Sequence, residues 1–271
     1  MKNLKMYLAG FITILVSVVL TGCDNNENDA TGTSRMTVKM FDAPGDYKEV
    51  NVDVRDVMIK STTNTDDQGW VSIGNLPSQG KVYNLLSLTG GINAVLADKD
   101  VPSGFVGQIR LVLGDQNTVV LRDGTSHPLN TPSAQQSGLK IQVNQTLVAG
   151  ATYEYLLDFD ANRSVVVQAG SSGIYNLNPV IRVTTAATSG VIKGSVSNIV
   201  AAKQVMVSIQ IGSETVSTYT DAQGVFQLNG VPAGTYIVTL TPDATSGLLT
   251  KTISGVVVVN GQVTTMAAIT L

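Results

Sequence analysis

The side chains able to do chemistry are few and scattered. Asp158-Phe159-Asp160-Ala161-Asn162-Arg163-Ser164 carries oxygen side chains at alternate positions, like the opening of a calcium loop. An EF-hand loop needs glycine at its sixth position and glutamate at its twelfth; here those are Arg163 and Ala169. Asp158 and Asp160 are thus weak metal candidates, and a strand is the plainer reading. Tyr153, Tyr155, Leu157 and Phe159 would fill a core face, with Glu154, Asp158 and Asp160 on the opposite, solvated or ion-paired face and Lys140 as a partner. The one histidine, His127, sits in the turn-like Gly124-Thr125-Ser126-His127-Pro128, and no Gly-x-Ser-x-Gly elbow marks a nucleophile for it. Glycosidases can work with two carboxylates and no histidine, but 20 acidic residues make such pairs common by chance. Trp70 is the one tryptophan and a weak candidate for a sugar-stacking platform. It follows the turn-like Thr65-Asp66-Asp67-Gln68-Gly69, which suits a sandwich rim, although a core position is the favoured reading.

The lone cysteine has a different use. Lys2 and Lys5 precede an apolar run over residues 8–20, long enough for a signal-peptide core and short of the roughly 20 residues a spanning helix needs. Leu20-Thr21-Gly22-Cys23 follows and resembles the bacterial lipobox. That resemblance implies cleavage before Cys23 and acyl chains (palmitate among them) on it, enough apolar surface for stable anchoring. Cys23 is then the contact with the membrane and not a redox thiol. Loss of residues 1–22 removes two of the 17 basic residues against 20 acidic ones, moving the net charge from −3 to −5. Charged residues are only 14% of the chain and no basic field exists for nucleic acid. Residues 23–34, with Asp24, Glu27 and Asp29 among asparagines, read as a flexible acidic tether. Its acids resemble the surface-export signal of Bacteroidetes-type lipoproteins, and they equally fit a merely solvated tether.

The rest must position any site, and it reads as β. Hydrophobic residues are 43% of the chain, too many for disorder. In residues 49–60, Val50, Val52 and Val54 alternate with polar residues, then Val57 and Ile59 restart one residue late, which predicts a β-bulge near Arg55-Asp56. Strands are also expected over 36–41, 70–73, 105–113, 118–122, 139–147, 152–159, 164–168 and 175–183, with a partly helical stretch over 84–96. Turns such as Val101-Pro102-Ser103-Gly104, Val148-Ala149-Gly150 and Val231-Pro232-Ala233-Gly234 place a glycine for positive φ before the next strand. The small-residue stretch 185–190 is the expected linker between a domain over 35–185 and one over 190–271.

Two families resemble these halves. Residues 190–271 are similar to carboxypeptidase-regulatory-like, transthyretin-type domains through Val191-Ile192-Lys193-Gly194-Ser195-Val196, Thr220-Asp221-Ala222-Gln223-Gly224-Val225-Phe226 and Gly230-Val231-Pro232-Ala233-Gly234-Thr235-Tyr236. That resemblance implies an appended β-sandwich with a carbohydrate-binding-like fold. Residues from about 34 to 185 resemble the family called domain of unknown function 4382 through Phe41-Asp42-Ala43-Pro44-Gly45-Asp46-Tyr47, Ile109-Arg110-Leu111-Val112-Leu113, Asp158-Phe159-Asp160 and Asn178-Pro179-Val180-Ile181-Arg182. This family lends no activity. The expected molecule is all-β: two β-sandwich (transthyretin/immunoglobulin-like) domains, lipid-anchored to the outer membrane, with display at the surface and a periplasmic position both open. It is not an enzyme and needs no cofactor. Its ligand is a glycan or another envelope protein; a carbohydrate-binding module for polysaccharide capture and a structural subunit of a surface complex are the alternatives.

Overall fold

Valine- and threonine-rich segments with period-two burial dominate the chain, and they fold as strands. In this computed structural model, residues 32–43, 45–131, 138–168, 173–200 and 203–271 are described. The leader, Cys23 and nearly all of the tether expected before residue 35 lie outside the described residues. In chain order the strands are β1 (Thr33–Ala43), β2 (Glu49–Lys60), β3 (Val71–Ser72), β4 (Lys81–Asn84), β5 (Ala94–Pro102), β6 (Gly104–Leu113), β7 (Thr118–Val120), β8 (Ser126–Asn130), β9 (Leu139–Leu147), β10 (Thr152–Asp160), β11 (Val165–Val167), β12 (Tyr175–Leu177) and β13 (Ile181–Thr185). They continue with β14 (Gly190–Ser195), β15 (Val205–Ile211), β16 (Glu214–Tyr219), β17 (Val225–Val231), β18 (Gly234–Pro242), β19 (Lys251–Val258) and β20 (Val263–Thr265). A single helical turn, α1 (Ala161–Ser164), is capped by the Asp160 carboxylate, which accepts the Arg163 N–H.

The first sandwich stacks the sheet β13-β10-β1-β5 on the sheet β11-β12-β8-β7-β2-β6-β9, with β3 and β4 also paired to β2. Met36, Val38 and Met40 from one sheet meet Val52, Ile109 and Leu111 from the other in a common core. Each such fully buried side chain contributes about 1.5–3 kcal/mol of transfer free energy. The predicted bulge is present: β2 shifts register between Val54 and Asp56 against β6, so Val54 and Val57 are both fully buried. At the sheet centre β1 and β10 run parallel, with Phe41 opposite Asp158. The second sandwich stacks β17-β14-β20 on β16-β15-β18-β19 around Ile192, Val207, Phe226 and Leu240.

Several expectations are corrected. One is not: the stretch 84–96 is partly helical as expected, with one 3-10 turn, Leu85–Ser87, and it then turns at Gly90-Gly91 into β5, whose outward Asp98 and Asp100 pair with Arg35. The stretch 175–183 is two strands. Asn178 and Val180 donate their N–H groups to the carbonyl and hydroxyl of Ser164 while the chain crosses from one sheet to the other. His127 lies within β8 and packs on Tyr175, ring centroids 4.7 Å apart, not in a turn. Gly104 and Gly150 have positive φ as expected, but Gly234 does not.

Candidate functional site

Where the two sandwiches meet, charged side chains fall into two environments. At one end they are buried. β10 pairs antiparallel with β13, Asp158 opposite Arg182, so both side chains leave the sheet on one face. That face is covered by β17. The Arg182 guanidinium donates to Asp158 Oδ2 from Nη2 at 2.7 Å and from Nε at 3.2 Å, while Nη1 donates to the Gly230 carbonyl at 2.6 Å. Gly230 has φ of 64°, and a β-carbon there would lie 2.4 Å from Thr184 Oγ1; only glycine permits this approach. Burial pushes the Asp158 carboxyl up to about 6 against the opposing pull of Arg182. On β1, Asp42 is buried too and accepts the Ala161 N–H at 3.0 Å. Burial, with the Asp158 and Asp160 charges behind it, holds Asp42 well above the usual carboxylate range. A further tie runs from the Gly90 N–H to Thr218 Oγ1 at 3.0 Å.

At the other end the junction opens into a groove of about 670 Å³. Its second-sandwich wall follows from register. Val216 and Thr218 point into or toward the core, so Tyr219 points outward. Met206 lies opposite Tyr219 and Thr241 opposite Met206, so the three form a cross-strand row facing the first sandwich. Asp243 and Gln204 flank that row. The first-sandwich wall comes from loops. Tyr47 stands in the turn after β1 and packs against the first core. Arg122 stands in the hairpin turn closed by Gly124 N–H to the Leu121 carbonyl, and reaches back to the Asp46 carbonyl at 3.1 Å and carboxylate at 3.3 Å. Asn162, on α1, accepts the Asp46 N–H at 3.4 Å. A second hollow of about 490 Å³ shares Asn162 and Met206 with the groove and adds Asp160, Arg163 and Glu214. Burial raises the Tyr219 hydroxyl, and the Asp46 carboxylate raises it further while Arg122 opposes. Burial also raises Tyr47, aided by Tyr175 and Asp46.

The residues singled out from sequence are not brought together. Asp158 belongs to the buried end and Asp160 to the lip of the second hollow. Lys140 pairs with Asp67 at 2.8 Å rather than with the acids of β10; Glu154 pairs with Lys39 and Asp158 with Arg182. Trp70 is not part of the first core: it is half-buried on the outer face, with Arg110 4.1 Å and Lys60 5.6 Å from its ring. Those cations lie over the ring, where a sugar would stack. Among the described residues no group of three or more His, Cys, Asp or Glu side chains is placed to hold a metal. The groove residues Arg122, Gln204, Tyr219 and Asp243 carry no sequence signal of their own, since each sits in a different turn or strand end.

No curated protein matches this chain. Among solved structures it is similar to the TIE protein of Bacillus anthracis, at 11% identity over 88% of this chain and 34% of that one, with a TM-score of 0.23. The major pilin subunit of Bacillus cereus aligns at 12% identity over 88% of this chain and 69% of that one, TM-score 0.23. A fimbrial protein from Bacteroides ovatus aligns at 8% identity over 88% and 50%, TM-score 0.22. The chain spans about a third of the first of these, and scores so low constrain neither fold nor function. The sequence itself is more specific: residues 33–179 match the family described as Domain of unknown function (DUF4382), more than half of the chain, and the protein belongs to that family.

Proposed function

We propose that this is a lipid-anchored envelope protein, held to the outer membrane through Cys23 and facing outward, that works by binding or display and not by catalysis. One observation carries the binding half of the reading: a groove built from both sandwiches, lined mostly by hydroxyls, amides and charges of both signs on a rigid β frame. The Cys23 motif and the acidic residues after it support the anchoring half. In this reading residues 190–271 are a carboxypeptidase-regulatory-like module that supplies one wall. Among the described residues no helix is long and apolar enough to cross a membrane.

Protease shaving of intact cells, with immunodetection of the C-terminal sandwich, tests the placement. Outward display predicts that the sandwich is lost while a periplasmic control survives. Cleavage only after the outer membrane is opened contradicts it. A structural role in a surface assembly is the second reading. It is favoured by the open seam between β19 and the segment after β20, where Val257 is 56% exposed. Self-association of the purified chain in analytical ultracentrifugation would favour it over ligand capture.

A further inference from the structure

We propose that the junction groove binds a neutral oligosaccharide several units long, seated over Tyr219 and Met206. This rests on the binding reading above and narrows it to one ligand class and one place. Length comes first. The groove of about 670 Å³ and the adjoining hollow of about 490 Å³ share Asn162 and Met206 and so run on from each other. Each alone is in the range of small-ligand sites, about 300–1,000 Å³. Together they suit a chain rather than a single compact molecule.

Charge narrows the class. Around the groove Lys48 and Arg122 are balanced by Asp46 and Asp243. A phosphate-rich or polyanionic ligand needs a wall of one sign, and the adjoining hollow adds two acids and one base. An apolar peptide or a lipid needs continuous apolar walls, whereas Leu86, Met206 and Pro242 share the lining with a majority of polar side chains.

Hydrogen-bonding capacity points the same way. Among the described residues the Tyr47 and Tyr219 hydroxyls make no hydrogen bond. Asn84 and Asn162 use their side-chain oxygens on backbone N–H groups and leave their amide N–H₂ groups unused. Gln204 donates to the Thr220 carbonyl and leaves its oxygen unused. Asp243 holds Thr245 with Oδ1 and leaves Oδ2. Unused donors and acceptors thus line the same groove as a half-buried phenol and a thioether. Vicinal hydroxyls above an apolar pyranose face present the complementary pattern.

The test uses the full chain expressed with its own leader, and titrates it with hexasaccharides from cellulose, xylan, mannan, starch and β-1,3-glucan and with polygalacturonate. Retention on isolated cell envelopes is measured in parallel with the Cys23→Ser chain, which has no acyl chains to hold it there. The proposal expects at least one neutral hexasaccharide to bind. Tyr219→Ala should raise that dissociation constant tenfold or more, and the exposed, fold-neutral Arg122→Gln threefold or more. Val257→Ser, on the far seam, should leave it unchanged. Neutral glycan binding that ignores both groove variants overturns the groove while the binding reading stands. Binding of polygalacturonate alone, or of no glycan while envelopes still retain the chain, overturns the ligand class and spares that reading. No glycan binding and no envelope retention overturns both.

Discussion

The two ends of the sandwich junction use the same residue types for opposite ends. Asp158 and Arg182 meet at 2.7 Å with side chains 9% and 20% exposed, while Asp46 and Arg122 meet at 3.3 Å with side chains 76% and 67% exposed. Burial decides what each pair does. The buried pair has lost its water, so its geometry is strict, its removal is costly, and its carboxyl is pushed up to about 6. The exposed pair holds little energy, keeps its water, and can exchange that water for a ligand. A junction of this kind needs both: one end to fix the angle between the sandwiches, the other to remain open.

The comparison can be broken most sharply at Arg182. Arg182→Ala leaves the Asp158 charge and the Gly230 carbonyl buried without a partner, and should cost about 3–5 kcal/mol. Denaturant unfolding measures this, and an unchanged midpoint would refute the locking role. Gly230→Ala comes next, at about 1–3 kcal/mol, because its φ of 64° is strained for alanine and the added carbon meets Thr184. A loss no larger than that of an exposed glycine elsewhere, such as Gly212, would show that the close approach is not needed.

Titration gives a smaller effect with a definite sign. The folded Asp158 carboxyl, at about 6, lies above its unfolded value of 3.8. The native state therefore binds more protons between those values, and this group's contribution to stability rises as pH falls from about 6 toward 4 and is lost as pH rises through 6. Asp158→Asn should remove that rise, seen as a flatter midpoint against pH between 6 and 4. An identical slope in both proteins would contradict the assignment. Smallest of all, Arg122→Gln should shift stability by no more than about 0.5 kcal/mol, since its partner is a solvated carboxylate.

Much of the fold could be read from local pattern, because pattern reports which face of a strand is buried. Val50, Val52, Val54, Val57 and Ile59 placed both β2 and its bulge, and the limits of β2 and β9 match the expected 49–60 and 139–147. Pattern failed where polar residues face outward on an edge strand. β5 ends its sheet, and Asp98-Lys99-Asp100 hides its alternation. It failed at β8, where Gly124 and Pro128 suggested a turn; Pro128 is tolerated because the β8 partnership with β12 begins only at Leu129.

The candidate site was least legible. Alternation correctly put Asp158 on the face opposite Tyr155 and Leu157, but it cannot say what covers that face. The second sandwich does, and so the expected solvated or ion-paired acid is ion-paired but buried, with Arg182 rather than Lys140 as its partner. Tyr47 and Tyr219 are 172 positions apart by number, and only the docking of two sheets makes them neighbours.

Hydrogen–deuterium exchange of the full chain, with and without a neutral hexasaccharide that it binds, tests the division of labour most directly. The account predicts ligand protection in the segments carrying Tyr47, Asn84, Met206, Tyr219 and Asp243. It also predicts no change around Arg182 and Gly230, which are already closed. Protection confined to the seam of Val257 and Met266, with the groove segments unaffected, would contradict it.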